Sequence, residues 1–202
     1  MDYYRDTITT KSWEALQALA KKYPFVLIGG WAVWLYAHRL KSKDIDIIID
    51  FSTLAALKER YAITKNDRLT KYEAVDGPVS MDIYVPHWSK VGIPAEDLMA
   101  MAVSREGFRV APPEALLVTK QVAYQSRAGS AKGRKDLVDI VSLLLLGEFN
   151  WQTYQMFIKR YDPHLSVSLS TLLSHQTSIE ELNLNPHAYA SHKRAWLVKL
   201  NG

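Results

Sequence analysis

Cysteine is absent from the 202-residue chain, which excludes a disulfide scaffold, a thiolate zinc site and a cysteine nucleophile. The chain also lacks an apolar run long enough to span a bilayer. Its first ten residues, MDYYRDTITT, are charged and polar, so they do not predict a signal peptide. We therefore expect a globular, cytoplasmic protein that has no membrane partner.

Several common catalytic motifs are missing as well. The sequence has no Walker loop, no G-x-S-x-G elbow and no Rossmann glycine fingerprint, and its six histidines lack the spacing of a zinc site. The formal net charge of +4 is a mild basic excess that suits an anionic partner such as a nucleotide or RNA. Many proteins without such partners carry as much charge, so the charge alone assigns no function.

Hydrophobic spacing predicts a mixed α+β fold, with a sheet in the N-terminal half and helices in the C-terminal half. We predict two regions: residues 1–108, which hold a mixed sheet, and residues 109–202, a helical region packed on it. The predicted helices are 13–22, 31–39, 53–61 with Ser52 as its N-cap, 113–127 and 134–146, and the predicted strands are 25–28, 45–49, 71–75, 79–85 and 105–110.

Aspartate and isoleucine alternate along the second predicted strand, in the run Asp44-Ile45-Asp46-Ile47-Ile48-Ile49-Asp50. Because alternate residues of a strand share a face, Asp44, Asp46 and Asp50 should point away from a buried isoleucine face. Carboxylates so close together repel one another unless a cation or a base lies nearby. The run therefore indicates a site that attracts positive charge.

Asp82 lies on the polar face of the second strand of the predicted hairpin. If that strand pairs beside the first aspartate strand, Asp44, Asp46 and Asp82 converge on one spot. Three oxygen ligands without thiols suit Mg²⁺ or Mn²⁺ better than zinc, so the three aspartates are candidate metal ligands. The alternative is an edge strand whose aspartates are simply solvated, and the Asp-x-Asp pattern alone does not separate the two.

Gly29-Gly30 ends the first predicted strand and precedes a helix. Such a turn presents backbone N–H groups at a helix N-terminus, where an anion such as a phosphate can bind. A tight turn without a ligand is the commoner meaning of a lone glycine pair. The combination of this turn with the aspartates therefore carries more weight than either feature alone.

Lys120 lies on the apolar stripe of the predicted helix 113–127, where a lysine needs a carboxylate or a phosphate partner. Asp136 and Asp139 lie close to the apolar face of the following helix. Two interpretations stay open: Lys120 binds a phosphate, or it forms a structural ion pair with Asp136 or Asp139.

The glycine turn, the helix after it, Asp44-Ile45-Asp46 and the later strand with Asp82 together resemble the polymerase-β nucleotidyltransferase superfamily. Within it, the chain is most similar to the minimal, abortive-infection (AbiEii-like) toxin type, through Lys41-Ser42-Lys43, the helical Lys120 and the run RKDLVD at 134–139. The resemblance covers residues 25 to 145. It implies a nucleotidyltransferase fold with a small mixed sheet flanked by helices, in which residues 1–108 form the catalytic domain.

This resemblance implies an enzyme dependent on Mg²⁺ or Mn²⁺ that transfers a nucleoside monophosphate from ATP or another NTP to an acceptor and releases pyrophosphate. Asp44, Asp46 and Asp82 would be catalytic and hold the metal, with Asp82 helping to deprotonate the attacking hydroxyl. Many relatives have Gly-Ser in place of Gly-Gly, so backbone amides, Ser42 or Lys43 would supply the missing phosphate donor. The implied nucleotide-binding residues are Gly29, Gly30, Ser42, Lys43, Lys120 and Asp136.

Two other functions remain open. One is a catalytically silent nucleotide- or RNA-binding component of a toxin–antitoxin-like pair, which the intact set of three aspartates disfavours. The other is a glycosyltransferase that acts on sugar nucleotides, which also uses Asp-x-Asp with a metal but explains neither Gly29-Gly30 nor Asp82. The implied partners are an NTP, an RNA or protein acceptor and, for a toxin, a cognate antitoxin.

Overall fold

A computed structural model of the chain describes the backbone of residues 2–201 and the side chains of residues 7–200. The chain forms two compact units, Met1–Pro112 and Pro113–Gly202. Among the described residues, no helix is long and apolar enough to cross a membrane.

The first unit is built on a seven-stranded mixed sheet with the strand order β3-β4-β5-β2-β1-β7-β6. Two neighbouring pairs, β2 with β5 and β1 with β7, are parallel, and the other pairs are antiparallel. The predicted fold class, a mixed sheet flanked by helices and followed by a helical part, is confirmed. The strands are β1 Val26–Ile28, β2 Ile45–Ile48, β3 Ile63–Asn66, β4 Lys71–Asp76, β5 Val79–Tyr84, β6 Val103–Arg105 and β7 Phe108–Val110.

The core of this unit lies against the apolar face of the central strands. Ile45 and Ile47 of β2 and Ile83 of β5 are completely buried, so the alternation along these strands separates an isoleucine face from an aspartate face. Trp31, also buried, donates a hydrogen bond from its indole Nε1 to the Ser12 hydroxyl at 2.9 Å, which fixes two helices of the unit to each other. The helices are α1 Asp2–Ala20, α2 Gly29–Ala37, α3 Phe51–Lys58 and α4 Ala95–Met101.

Three parts of the predicted secondary structure of this unit need correction. The first helix extends from Asp2 to Ala20, whereas the prediction was 13–22. Its N-terminal part was missed because residues 2–12 are too polar to show an apolar stripe in the sequence. The predicted strand 105–110 is instead the antiparallel pair β6 and β7, joined by a turn at residues 106–107. Strand β3 and helix α4 were not predicted at all.

The N-cap of α3 is Asp50, so the assignment of Ser52 to that position was wrong. The Asp50 carboxylate accepts hydrogen bonds from the Thr53 backbone N–H at 2.7 Å and from the Ser52 hydroxyl at 2.8 Å. These bonds, the Thr53 backbone bond above all, hold the pKa of Asp50 below its ordinary value. Asp50 therefore terminates β2 and starts a helix, and it does not join the aspartate face of the strand.

Helices form the second unit over its described residues, apart from the connecting turns and one isolated bridge between Ile179 and Leu184. Its first helix has the predicted bounds, whereas the second starts three residues earlier than predicted because the Ser130 hydroxyl accepts the Gly133 N–H at 3.0 Å and caps it. Gln121 joins three helices, accepting the Tyr154 hydroxyl at 2.7 Å and donating to the Leu165 carbonyl at 2.9 Å. The helices are α5 Pro113–Arg127, α6 Ala131–Leu144, α7 Trp151–Tyr161, α8 His164–His175, the 3₁₀ helix Glu180–Leu182 and α9 Pro186–Asn201.

Candidate active site

Strands β2 and β5 bring two of the predicted site residues side by side. Their parallel register sets Asp46 directly opposite Asp82, and directly opposed residues of paired strands point to the same face of the sheet. Neighbouring strands lie about 4.8 Å apart, so the two half-buried carboxylates are immediate neighbours. The strand pairing on which the predicted site depends is therefore present.

Asp44, the third predicted metal ligand, lies one residue before β2 and outside the strand ladder. It is half-buried, and the register that aligns Asp46 with Asp82 does not extend to it. In the part of the chain that the structure describes, no group of three or more His, Asp or Glu side chains is arranged to hold a metal ion. The structure thus sets Asp46 beside Asp82 in the strand ladder, whereas Asp44 lies outside that ladder.

The glycine turn adjoins the aspartate pair directly. Gly29 is the first residue of α2 and has a φ of +67°, in the left-handed region that favours glycine. A side chain at Gly29 would overlap the Asp46 carboxylate, and its Cβ would stand only 2.7 Å from the Asp46 Cβ. The missing side chain therefore lets Asp46 approach the N-terminus of α2, whose N-cap residue Ile28 gives no side-chain hydrogen bond. A helix N-terminus favours such negative charge.

Two residues of this site, Lys71 and Glu73, were not predicted. Both lie on β4, next to β5, and the hairpin register sets Glu73 directly opposite Asp82. The Lys71 ammonium contacts the Asp82 Oδ2 at 2.6 Å and the Glu73 Oε1 at 2.9 Å. A two-residue turn at Gly77-Pro78 fixes this register, so the alternation Lys71-Tyr72-Glu73 could have revealed both residues from the sequence.

Lys71 is a firmly charged member of the cluster. Partial burial tends to lower its pKa, but the hydrogen bonds to Asp82 and Glu73 outweigh that effect and raise the pKa above the ordinary value of 10.5. The same lysine lowers the pKa of Glu73. The face therefore carries one lysine cation among the carboxylates of Asp46, Asp82 and Glu73.

The oxygen donors of the pair suit the divalent ion that the sequence implies. Adjacent carboxylate oxygens with no sulfur donor are what Mg²⁺ and Mn²⁺ prefer, and Asp46 and Asp82 offer them on one face. Lys71, however, already contacts the Asp82 Oδ2 at 2.6 Å. The pair consequently fits a divalent cation in its oxygen donors, and that cation would compete with the Lys71 ammonium for Asp82.

The remaining residues predicted in this unit surround the turn and the lead into β2. Gly30 is buried in the first turn of α2. Ser42, only 2% exposed, and the exposed Lys43 lie in the connection from α2 to β2. The first unit thus contains all of the predicted nucleotide-binding residues except Lys120 and Asp136.

Those two residues belong to a buried ion cluster in the second unit. The Lys120 ammonium contacts the Asp139 Oδ2 at 2.7 Å and the Asp136 Oδ1 at 3.4 Å. Arg127 donates two hydrogen bonds to the Asp136 carboxylate, at 2.6 and 2.9 Å. Both aspartates are 1% exposed, so these ion pairs join α5 to α6 inside the unit. Of the two interpretations open from the sequence, the geometry favours the ion pair, and nucleotide contact by Lys120 and Asp136 stays a prediction.

Comparison with known proteins gives a likeness in structure only. No protein-family model matches the chain, and no curated protein matches it in sequence. One similar crystal structure is that of a proposed nucleotidyltransferase from H. pylori, at 17% identity over 96% of this chain and 95% of that chain, with a TM-score of 0.50. The chain has a nucleotidyltransferase fold.

Two further solved structures align over nearly the whole chain. JHP933 from Helicobacter pylori is 17% identical over 96% of this chain and 93% of that chain, with a TM-score of 0.49. The antibiotic-resistance factor ANT(2'')-Ia is 16% identical over 97% of this chain and 96% of that chain, with a TM-score of 0.46.

Proposed function

We propose that the chain is a metal-dependent nucleotidyltransferase, which transfers a nucleoside monophosphate from an NTP to an acceptor hydroxyl and releases pyrophosphate. The observation that carries the proposal is the pair Asp46 and Asp82, set in register on parallel strands against the glycine turn that starts α2. The fold, shared with a proposed nucleotidyltransferase, supports it. We assign catalysis to the domain 1–108, and acceptor choice to the helical region 109–202.

In this proposal Asp46 and Asp82, with Asp44 beside them, hold Mg²⁺ or Mn²⁺. Such ions neutralise phosphate charge and stabilise the attacking and leaving oxygens of an in-line displacement. The backbone N–H groups at the start of α2, together with Ser42 and Lys43, orient the triphosphate. Asp82 accepts the proton of the acceptor hydroxyl, whose oxygen bonds to the α-phosphorus as the bond to the pyrophosphate oxygen breaks.

The proposal is tested by the variants Asp46→Asn and Asp82→Asn, each incubated with NTPs labelled at the α-phosphate, Mg²⁺ and cell extract. We expect label transfer and pyrophosphate release with the wild-type chain, and loss of both in the two variants and after chelation of the metal. Asp50→Asn is the matched control, because it makes the same change at an exposed N-cap where asparagine also caps well. Full metal-dependent transfer in Asp46→Asn would refute the assignment.

The labelled product identifies the acceptor, for which RNA and protein are the proposed classes. Transfer to tRNA or to a protein would support the proposed relation to abortive-infection toxins, and co-purification with a neutralising protein would support a cognate antitoxin.

The contact between Lys71 and Asp82 favours one alternative function, a nucleotide- or RNA-binding protein without turnover. The lysine occupies the Asp82 Oδ2 atom and neutralises part of the carboxylate charge, which weakens Asp82 as a metal ligand and as a proton acceptor. Calorimetry with MgATP, combined with a pyrophosphate assay, separates the two. Binding without pyrophosphate release would favour the silent protein.

A further inference from the structure

We propose that Lys71 is an internal counter-ion of the Asp46–Asp82 pair, and that a divalent cation at Asp82 competes with the Lys71 ammonium, which remains paired with Glu73 when the metal binds. This inference rests on the proposed function, since it concerns the loading of the same metal site.

The first step of the argument is geometric. The register of β2, β5 and β4 sets Asp46, Asp82 and Glu73 in one row across three neighbouring strands, all on the same face of the sheet. Lys71 precedes Glu73 by two residues on β4 and so shares that face. Its side chain is only 12% exposed, and its ammonium contacts both Asp82 and Glu73.

The second step concerns charge. Neighbouring carboxylates repel, and a half-buried position strengthens this repulsion because less water screens it. Lys71 reduces the repulsion between Asp46 and Asp82 in the metal-free protein, because its ammonium lies next to the Asp82 carboxylate. A divalent cation between the two carboxylates would do the same with twice the charge.

The third step is that the two cations repel each other at Asp82. The ammonium contacts the Asp82 Oδ2 atom, and a Mg²⁺ ion, which binds oxygen at about 2.0–2.1 Å, would be repelled by this positive charge at either oxygen of the same carboxylate. Glu73 offers Lys71 an alternative partner at 2.9 Å, and its side chain is 39% exposed, more than that of Asp82 at 28%. Lys71 can therefore leave Asp82 while keeping one ion pair.

The experiment compares Lys71→Met with wild type by calorimetric titration of Mg²⁺ and Mn²⁺ and by thermal unfolding with and without the metal. Couplings between sites are typically 5–150-fold, so we expect Lys71→Met to bind the metal at least about fivefold more tightly. We also expect its Tm to be lower than that of wild type without metal, and to rise more when metal is added. The matched control is Lys65→Met, since Lys65 lies on β3 opposite Tyr72, and pairs with Asp67 instead.

A second variant keeps the test informative if Lys71→Met does not fold. Glu73→Gln removes the alternative partner of Lys71, holds the lysine on Asp82 and should weaken metal binding, which is the opposite direction. Suppose that the wild type binds metal and transfers nucleotide. Unchanged or weaker metal binding in Lys71→Met, or unchanged or tighter binding in Glu73→Gln, would then overturn this inference and leave the proposed function intact. Absence of metal binding in the wild type would overturn the proposed function as well.

Discussion

Replacement of Gly29 by alanine tests the close approach between the glycine turn and the aspartate pair. The change adds one methyl group at a residue whose φ is +67° and whose open side faces Asp46. Two separate penalties follow, one from the backbone and one from the overlap with Asp46.

The backbone penalty is about 1–2 kcal/mol, the usual cost of a non-glycine residue in the left-handed region. The overlap adds to it, because the new methyl group would stand 2.7 Å from the Asp46 Cβ. Rotation of the Asp46 side chain moves the carboxylate but not the Cβ, so β2 or α2 must shift. Overpacking of this kind costs about 1–3 kcal/mol. We therefore expect the free energy of unfolding to fall by about 2–5 kcal/mol in total.

Gly77→Ala is the matched control. Gly77 also has a positive φ, +56°, but nothing lies within 4 Å of the position that its Cβ would take. This variant should lose only the backbone part, about 1–2 kcal/mol. Urea unfolding followed by tryptophan fluorescence measures both variants. We further expect Gly29→Ala to lose the stabilisation by Mg²⁺ that Gly77→Ala retains, because its Asp46 is displaced from Asp82.

Equal destabilisation of the two glycine variants would refute this reasoning. It would mean that Asp46 can move away from the turn without cost, and that the glycine serves the backbone conformation alone. A Gly29→Ala variant that Mg²⁺ stabilises as much as it stabilises Gly77→Ala would likewise show that the glycine turn does not position Asp46 for metal binding.

Three further predictions concern groups outside the aspartate pair. Lys120→Met removes the ammonium that pairs with the 1%-exposed Asp139, so the free energy of unfolding should fall by about 3–5 kcal/mol. The control Lys159→Met, at an exposed position, should lower it by less than about 1 kcal/mol. Urea unfolding measures both variants. Tyr154→Phe leaves the Gln121 carbonyl oxygen without its 2.7 Å donor and should cost about 1–3 kcal/mol by the same assay. Asp50→Ala removes the α3 cap and should cost about 1 kcal/mol at neutral pH. The pKa of Asp50 is lower in the folded state, so the difference in unfolding free energy between wild type and Asp50→Ala should have its full size at pH values above the ordinary pKa of 3.8. It should shrink as the pH falls below that value, which unfolding curves measured across this pH range would show.

The elements that position the site were predictable because each carries a strong local pattern. Gly29 follows a short apolar strand, and the aspartates alternate with isoleucines that are fully buried in the structure. The turn at Gly77-Pro78 defined the hairpin that contains Asp82. Strand β3 escaped prediction because its burial pattern is weak, with none of its residues fully buried. Helix α4 has only seven residues, of which Ala95 and Leu98 are buried, so its apolar stripe is too short to be recognised.

The charged residues were harder to assign, because their role depends on the partner and not on their own spacing. The sequence placed Asp50 on the aspartate face, but in the structure its carboxylate accepts a hydrogen bond from the Thr53 N–H and caps a helix. Lys120 fitted a phosphate or an ion pair equally well, and only the folded positions of Asp136 and Asp139 favour the ion pair. Burial can be inferred from periodicity, whereas the choice between two oppositely charged partners requires coordinates.

Lys71 shows how this limit affects a functional conclusion. An aspartate on a strand face indicates a cation, but the sequence does not say whether that cation is a metal or a side chain of the chain itself. The hairpin register supplies a lysine to Asp82, and that lysine removes the argument that repulsion alone demands a metal. The case for metal chemistry therefore depends on Asp46, which the glycine turn holds beside Asp82. Mutation of Asp46 and of Lys71 should consequently have opposite effects on metal affinity, a loss in the first case and a gain in the second.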